Sequence, residues 1–500
     1  MARMIIVLTC CNRGCLINIL TINVVKLSYF IQYGYLGVGN KGKPCKILFM
    51  LLATVILSAC TVTSEIDDAI SNPPLPRAWQ QTAEVIPVRD GWLSSLNDGQ
   101  VKSYVARALD NNYSLKQQAL AIESSRQRVA IASSDRWPSL DLTLSNGRVR
   151  DNNPKMTVDN ATLDLALRFE LDVWGKLSDG ERQAAITLLS EEASYEEARQ
   201  QLVAEVVSGW FSIIEARQLF SLSLNRLDVA RQNLDIIESG YRQGLNSALD
   251  VYLTRNELNS ELSRLSEREA IVNARIRALE RLMGVYPETS LQVDAVLPLF
   301  ETNVPTGVPS ALITRKPVLQ ANWYKLLAAD AGLAVAHKQR FPSLDIRATV
   351  GDSQESVGDL FSSGSLAWSL LGSLSAPIFN AGRLKANEEV ARLELKQLEQ
   401  NYLDALYTAF EEVENRLTQD ASLYQRYQAT SKAVDNARFA ETLSFEQYRK
   451  GLVSYTTVLD AQSRSFDAQS LLIEIQSQRA INRVRLHVAL GGDFESRVSP

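Results

Sequence analysis

Cysteine and histidine are scarce in this chain of 500 residues. All five cysteines lie in the first 60 residues, at positions 10, 11, 15, 45 and 60, and His337 and His487 are the only histidines. A disulfide framework therefore cannot hold the body of the protein together. We also find no nucleophile, phosphate-binding or metal-ligand motif, so the sequence predicts no catalytic residue, no metal site and no cofactor beyond a covalent lipid.

Acidic residues are missing from residues 1–59, which contain six Lys or Arg. Without that stretch the formal net charge falls from −5 to −11, which argues against nucleic acid as a partner. Lys41, Lys43 and Lys46 precede the apolar run ILFMLLATVIL, which is too short for a membrane span and is typical of a secretory signal. The run ends in LSAC, which resembles a bacterial lipobox and predicts a lipidated Cys60 as the first mature residue.

A seven-residue phrase occurs twice, as YRQGLNS at 241–247 and as YRKGLVS at 448–454, with an offset of 207 residues. The same offset pairs further identical residues: Glu181 with Glu388, Leu188 with Leu395, Tyr195 with Tyr402, Glu205 with Glu412, Arg231 with Arg438, Val251 with Val458 and Gly284 with Gly491. WPSLDL and FPSLDI are 204 residues apart, so one loop differs in length between the copies. The chain is therefore predicted to be a tandem duplication.

The duplication suggests a simple domain organisation. A leader occupies 1–59, and its first 40 residues fit no signal and suggest a misassigned start. The remaining segments are a lipid-anchored extended tether at 60–92, a first repeat at 93–290, a linker at 291–308 and a second repeat at 309–493.

Each repeat contains two stretches in which apolar and polar residues alternate, as in β-strands. The apolar positions are Leu140, Leu142 and Leu144; Leu163, Leu165, Leu167, Phe169, Leu171 and Val173; Leu344, Ile346, Ala348 and Val350; and Leu366, Trp368, Leu370, Leu374 and Ile378. Strands of about ten to twelve residues cross a bilayer when tilted. An aromatic residue marks every junction between strand and helix: Trp137, Trp174, Phe341 and Phe379. Rings at that level favour a membrane–water interface, although aromatics that cap the core of a soluble sheet look similar.

Four strands in lipid would leave two unpaired edges, and a closed barrel needs about eight strands. Membrane-crossing strands would therefore require several copies of the chain, without fixing their number.

Long helices connect the strands to the repeated phrase. A heptad pattern predicts a coiled-coil helix over roughly 178–239, and a second pattern that includes Leu258, Leu262 and Leu265 predicts its antiparallel partner. The phrase then lies at the turn farthest from the strands. Gly244 and Gly451 can adopt the positive φ that ends a helix, and Ser247 and Ser454 can cap the next one.

The duplicated layout, the stretches ELDVWGKL and SAPIFNAGRL, and the YRxGLxS turns together resemble the TolC-like outer-membrane efflux factors, in particular their lipoprotein branch. The resemblance covers residues 92–492. It implies an α+β membrane protein that is a homotrimer, with the helices forming an α-barrel through the periplasm. The four strands of each chain would contribute to a shared 12-stranded β-barrel in outer-membrane lipid.

The resemblance also implies partners and sites. A periplasmic adaptor protein would contact the two turns, and an inner-membrane pump would complete the assembly. The adaptor-contact residues would be Tyr241, Arg242, Gly244, Leu245, Ser247, Tyr448, Arg449, Gly451, Leu452 and Ser454. A periplasmic gate would contain Tyr448, Asp460 and Asp250. Thr457 and Val453 depart from a gate aspartate and a gate arginine of the family, so the closed state is expected to be held differently.

Two further interpretations stay open at this point. The cargo could be drugs, a protein exported by type I secretion or metal ions, although the scarcity of Met and His disfavours metal. The chain could instead be a periplasmic coiled-coil scaffold lipoprotein whose alternating segments form a soluble sheet.

Overall fold

The computed structural model describes residues 66, 70, 74–80, 87–88, 90–96, 98–152, 155–293, 296–298, 304–360 and 366–495. All of them belong to one compact unit, Ser64–Pro500. The predicted signal, the lipobox with Cys60 and all five cysteines lie outside the described residues, as does most of the predicted tether.

Each half of the chain forms two helices, two strands and two further long helices. The first half comprises α1 (Gly99–Asn111), α2 (Tyr113–Ser134), β1 (Ser139–Asn152), β2 (Lys155–Leu171), α3 (Lys176–Arg242) and α4 (Ala248–Leu282). The second half comprises α5 (Pro309–Arg315), α6 (Pro317–Lys338), β3 (Ser343–Gln354), β4 (Ala367–Ser375), α7 (Arg383–Arg449) and α8 (Tyr455–Ala489).

The predicted tandem duplication is confirmed by the helix lengths. Helices α3 and α7 both contain 67 residues, and α4 and α8 both contain 35. Helices α2 and α6, which precede the strands, both contain 22. The start of β3 follows that of β1 by 204 residues, and the start of α7 follows that of α3 by 207. The length difference therefore lies within the strand pairs.

The four strands form one antiparallel sheet in the order β1-β2-β3-β4, so β1 and β4 are its edges. The register pairs apolar residues with apolar residues, as in Leu140 with Leu167 and Leu165 with Val350. Arg168 of β2 pairs with Arg347 of β3, and each lies next in sequence to an apolar position, so both are on the opposite face from these leucines. Because side chains alternate between faces, the helix-proximal half of the sheet has one apolar and one polar face.

The strand ends differ from the prediction in several places. Strand β2 ends at Leu171, before the predicted Val173, whose N–H donates to the carbonyl of Leu171, and β3 continues beyond Val350 to Gln354. Pairing of β1 with β2 continues beyond Leu144 and Leu163 through polar residues as far as Asn152 and Lys155, because backbone pairing does not require apolar side chains. The strand expected to reach Ile378 ends instead at Ser375, since Pro377 lacks the N–H that would continue the ladder.

Helix α3 is about 100 Å long at 1.5 Å per residue. Its predicted heptad seam is buried at Leu202, Val206, Ile213 and Ile237. In α4 the predicted seam is wrong at Leu262, which is 42% exposed, whereas the preceding Glu261 is fully buried. None of the described helices combines the length and apolarity that crossing a membrane requires.

The largest apolar cluster of the described residues includes the middle of α3, where α1 packs against it. Trp210 is 1% exposed and makes an edge-to-face contact with Tyr104 of α1 at 5.5 Å between ring centroids. Trp79 of the segment before α1 is also buried, and its indole N–H donates to the carbonyl oxygen of Thr306 at 3.0 Å. The described part of the predicted tether therefore packs onto the helical body.

Candidate functional site: the helical tip

The two copies of the repeated phrase form the same turn. Gly244 has φ +74° and Gly451 has φ +71°. The N–H of Leu245 donates to the carbonyl of Gly240 at 2.8 Å, and that of Leu452 donates to the carbonyl of Gln447 at 3.0 Å. These bonds satisfy the carbonyls that the ends of α3 and α7 leave without a helical partner.

The serines that follow the two turns behave differently. Ser247 caps α4 as predicted: its Oγ accepts the N–H of Asp250 at 3.2 Å, and the Asp250 carboxylate accepts the N–H of Ser247 at 3.2 Å. The same prediction is wrong for Ser454, whose side chain caps no N–H of α8. Its hydroxyl instead lies 2.6 Å from that of Thr456 and 3.2 Å from that of Thr457. Thr457 occupies the repeat position of Asp250, so the second turn lacks the carboxylate that completes a capping box.

This difference gives a matched pair of variants. Ser247→Ala should destabilise the start of α4 by about 1 kcal/mol, because it removes a helix cap, whereas Ser454→Ala should have a smaller effect on α8. Amide hydrogen exchange at residues 250–254 and 457–461 measures both. Equal acceleration of exchange in the two variants would contradict the asymmetry.

An apolar cluster joins the two turns. It contains Ile237 of α3, Val251 of α4, and Tyr455 and Val458 of α8, all buried. Tyr448 of α7 packs against it, with its ring centroid 5.3 Å from that of Tyr455. The tip is therefore one packed unit made from both repeats.

Tyr448, the predicted gate tyrosine, also links the two turns by a hydrogen bond. Its hydroxyl donates to Asn246 Oδ1 at 3.2 Å, and Asn246 Nδ2 donates to the carbonyl of Ile237 at 3.0 Å. Burial, together with the nearby charge of Asp250, raises the pKa of Tyr448 to about 12. The phenol therefore keeps its proton at physiological pH and remains a donor to the other turn.

The two predicted gate carboxylates have different surroundings. Asp460 is exposed and pairs with Arg464 of the next helical turn, with 2.9 Å between Oδ2 and Nε. Asp250 takes part in the cap described above. Both lie near the tip, and the charge of Asp250 acts on Tyr448.

All the predicted adaptor-contact residues except the half-buried Tyr448 are exposed at the turns. Leu245 and Leu452 are 76% and 69% exposed, and Tyr241 is 50% exposed. Sequence analysis missed Leu249 and Tyr252 in the first turns of α4, which are 64% and 68% exposed. Comparison of the repeats could have found Leu249, because the second repeat has the polar Thr456 at that position.

The predicted interface aromatics lie at the helix-proximal end of the sheet. The structure brings Trp174 and Phe341 together, with 5.6 Å between ring centroids, and Trp174 Nε1 donates to the carbonyl of Pro342 at 2.6 Å. Trp137 and Phe379 are 73% and 89% exposed. These two rings flank the edge strands β1 and β4.

A charged cluster that sequence analysis also missed lies beneath the tip. Arg226 of α3 contacts Glu257 at 2.8 Å and the fully buried Glu261 at 2.7 Å, both on α4. Its guanidinium lies over the ring of Phe466 of α8, 4.4 Å from the centroid. Burial raises the pKa of Glu261, and the charges of Arg226 and Arg264 oppose that rise. Arg226 therefore connects the hairpin of the first repeat to that of the second.

Two histidines occur in the chain, and both have packing or ion-pair roles. His337 Nδ1 lies 2.9 Å from Glu388 Oε1, and Arg340 adds an ion pair at 2.5 Å. Burial acts to raise the pKa of Glu388, but these two partners outweigh it and lower the pKa to about 2. His487 stacks on Trp92 at 5.9 Å, and burial lowers its pKa to about 4. Within the described ranges no group of His, Cys, Asp and Glu side chains has the arrangement of a metal site.

A long helical hairpin in each of two repeats, joined to a shared antiparallel sheet, is the architecture of an outer-membrane channel subunit. The chain belongs to the Outer membrane efflux protein family, whose sequence model matches residues 104–285 and 308–492. The predicted family and fold class are thereby confirmed. The family consists of transport proteins, and the chain is an outer-membrane efflux protein.

Relatives and solved structures agree with this assignment. The chain is 30% identical over 394 residues to the solvent efflux pump outer membrane protein SrpC of Pseudomonas putida. The aligned residues cover 77% of this chain and 84% of SrpC. It is 27% identical over 411 residues to the probable outer membrane lipoprotein SilC of Salmonella typhimurium, covering 81% of this chain and 88% of SilC. A crystal structure of CusC superposes with a TM-score of 0.75 and 25% identity, covering 84% of this chain and 99% of CusC.

Proposed function

We propose that this chain is one subunit of a homotrimeric, gated conduit that carries small molecules from a periplasmic adaptor and an inner-membrane pump to the exterior. The observation that carries the proposal is the sheet, which has one apolar face and two open edges. Each unsatisfied backbone group in hydrocarbon costs several kcal/mol, and about eight strands are needed for closure. Three copies would supply twelve strands and leave no edge.

The exposed tip supports contact with an adaptor. Apolar side chains are exposed on both turns at Leu245, Leu249, Tyr252 and Leu452. Several large apolar side chains clustered on a surface mark a site of protein interaction. The proposed contact set is Tyr241, Arg242, Gly244, Leu245, Ser247, Tyr448, Arg449, Gly451, Leu452 and Ser454. A lipid on Cys60 would tether the subunit to the outer membrane, and the relative SilC is named a probable outer membrane lipoprotein.

The cargo is proposed from the relatives and from composition. SrpC is named for solvent efflux, whereas CusC proteins of Escherichia coli, at 26% identity, are named for cation efflux. The chain contains five Met and two His, few of the side chains that would relay soft metal ions. We therefore favour small organic molecules over metal ions or secreted proteins.

A reconstitution experiment tests the proposal. The full-length protein, extracted in detergent, should have the mass of a trimer by light scattering and should conduct ions across planar bilayers. Cys60→Ser should remain in the outer-membrane fraction, because the strands hold it there without the lipid. Release of that variant as a soluble monomer that forms no pores would establish the scaffold interpretation instead.

The gate is tested by Asp460→Ala. Three copies of this exposed carboxylate near one axis would repel one another and attract cations, so their removal should lower the cation preference of the closed pore severalfold. Asp467→Ala removes an exposed charge two turns farther along α8 and should leave the preference unchanged. Identical reversal potentials for wild type and Asp460→Ala in a salt gradient would remove Asp460 from the gate.

A further inference from the structure

Two arginines face each other on the polar side of the sheet. Arg168 of β2 lies directly opposite Arg347 of β3 in the antiparallel register. Both side chains are exposed. Like charges placed directly opposite across a strand pair are destabilising, so this arrangement has a cost that packing does not explain.

Nothing in the same row neutralises the pair. Across β1 the neighbour of Arg168 is Ser139, and across β4 the neighbour of Arg347 is Leu371. No carboxylate of the described residues is in an ion pair with either guanidinium. The row therefore carries two positive charges and no negative one.

The two acidic residues in the adjacent row nearer the helices have other partners. Glu170 pairs with Lys176 at 2.5 Å, and Asp345 accepts the hydroxyl of Ser343 at 2.9 Å. On the other side of the row, Asp141 of β1 lies opposite Ala166, and Asp164, one row farther, lies over Gly351. Among the described residues, none of these four acids is in an ion pair with Arg168 or Arg347.

We propose that Arg168 and Arg347 form an anion-binding ring inside the channel. The inference rests on the proposed trimer, in which the apolar face of the sheet meets lipid and the polar face lines the lumen. Three subunits then place six guanidiniums at one level, each able to bind a carboxylate, sulfate or phosphate group through two N–H donors.

The position of the ring gives it a distinct role. Arg168 lies three residues before the end of β2 at Leu171, which places it about 10 Å from the helix-proximal end of the sheet at 3.3 Å per residue. The proposed carboxylates at Asp460 lie at the opposite end of the helices. A solute would thus pass a negative ring at the tip and then a positive ring where the helices meet the sheet, and the second ring would retain anionic groups.

Polyanion block in planar bilayers tests the ring. Sucrose octasulfate, added to the side where the β1–β2 hairpin emerges, should block the wild-type pore, and the block should weaken steeply as salt concentration rises. Arg168→Gln combined with Arg347→Gln should raise the blocking constant at least tenfold. Arg168→Lys combined with Arg347→Lys keeps the charge and should retain part of the block, since lysine lacks the paired donors.

Arg148→Gln is the control for loss of a guanidinium from the sheet. Arg148 alternates with the face of Leu140 and Leu144, opposite to that of Arg168, and pairs with Asp159 at 2.5 Å, so its removal should leave the block unchanged. If the double Gln variant forms normal pores and is blocked as strongly as the wild type, the anion-binding ring is wrong but the proposed conduit is not. Failure of the wild type to form pores would overturn both the conduit and the ring.

Discussion

Arg226→Ala should lower the free energy of unfolding by about 3 kcal/mol, because it leaves the carboxylate of Glu261 buried with only the partly exposed Arg264 as a partner. The substitution also removes the guanidinium from the ring of Phe466. Guanidinium-induced unfolding of the full-length protein in detergent, followed by circular dichroism, measures the change.

A nearby surface pair provides the control. Arg255 of α4 pairs with Glu238 of α3 at 2.7 Å, but its side chain is 53% exposed. Arg255→Ala should therefore cost at most about 1 kcal/mol. Equal losses in the Arg226 and Arg255 variants would show that burial of Glu261 does not govern the cluster.

A second variant isolates the charge. Glu261→Gln, combined with Arg226→Ala, removes the unpaired carboxylate and should recover much of the lost stability. In Arg226→Ala alone the raised pKa of Glu261 should rise further. A carboxyl group that binds its proton more tightly when folded stabilises the protein at low pH, and this contribution is lost as pH rises through the folded pKa. The Arg226→Ala defect should therefore be larger at pH 8 than at pH 5.

The Arg226 cluster is an example of contacts between helices that the sequence pattern did not predict. The heptad pattern predicts Leu262 in the α4 seam because leucine is the expected residue of a coiled-coil core. The structure buries the adjacent Glu261 instead, since Arg226 from α3 and Arg264 supply its charge partners. Those partners are set by how the helices meet, and a pattern along one helix does not contain that information.

The features that the sequence predicted correctly, the two matching halves and the two glycine turns, depend on repeated or local sequence signals. The 207-residue offset predicts two matching halves, and the glycines of the phrase predict the two turns, because a positive φ excludes most other residues. The cap at Ser454 failed because Thr456 and Thr457 offer its hydroxyl other partners. The arginine row required the strand register, which alternation alone does not fix.

The tip and the cluster at Arg226 together suggest how the two hairpins are coupled. Tyr448 binds Asn246 across the turns, and Arg226 reaches from α3 to Phe466 of α8. Separation of the second hairpin from the first would break both contacts. We therefore expect Arg226→Ala to affect tip opening as well as stability, with more frequent open events in bilayer recordings.

Gly284→Ala should be the most destabilising glycine substitution in the chain's long hairpins. Gly284 ends α4 with φ +68°, and an added Cβ would overlap the carbonyl oxygen of Asn111 and lie 2.9 Å from its carbonyl carbon. A left-handed conformation costs a non-glycine residue roughly 1–2 kcal/mol. Overlap with backbone that cannot move aside adds about 1–3 kcal/mol.

Gly244→Ala separates these two costs. Gly244 has φ +74°, but an added Cβ would meet nothing within 4 Å, so only the conformational cost remains. Gly491 holds the repeat position of Gly284, and there an added Cβ would lie 2.9 Å from the carbonyl carbon of Arg315 and 3.0 Å from the N of Lys316. Unfolding midpoints in guanidinium should therefore decrease from Gly244→Ala to Gly491→Ala and again to Gly284→Ala. If all three variants lose the same stability, the helix ends of the two repeats do not meet the α1–α2 and α5–α6 junctions as closely as the structure places them.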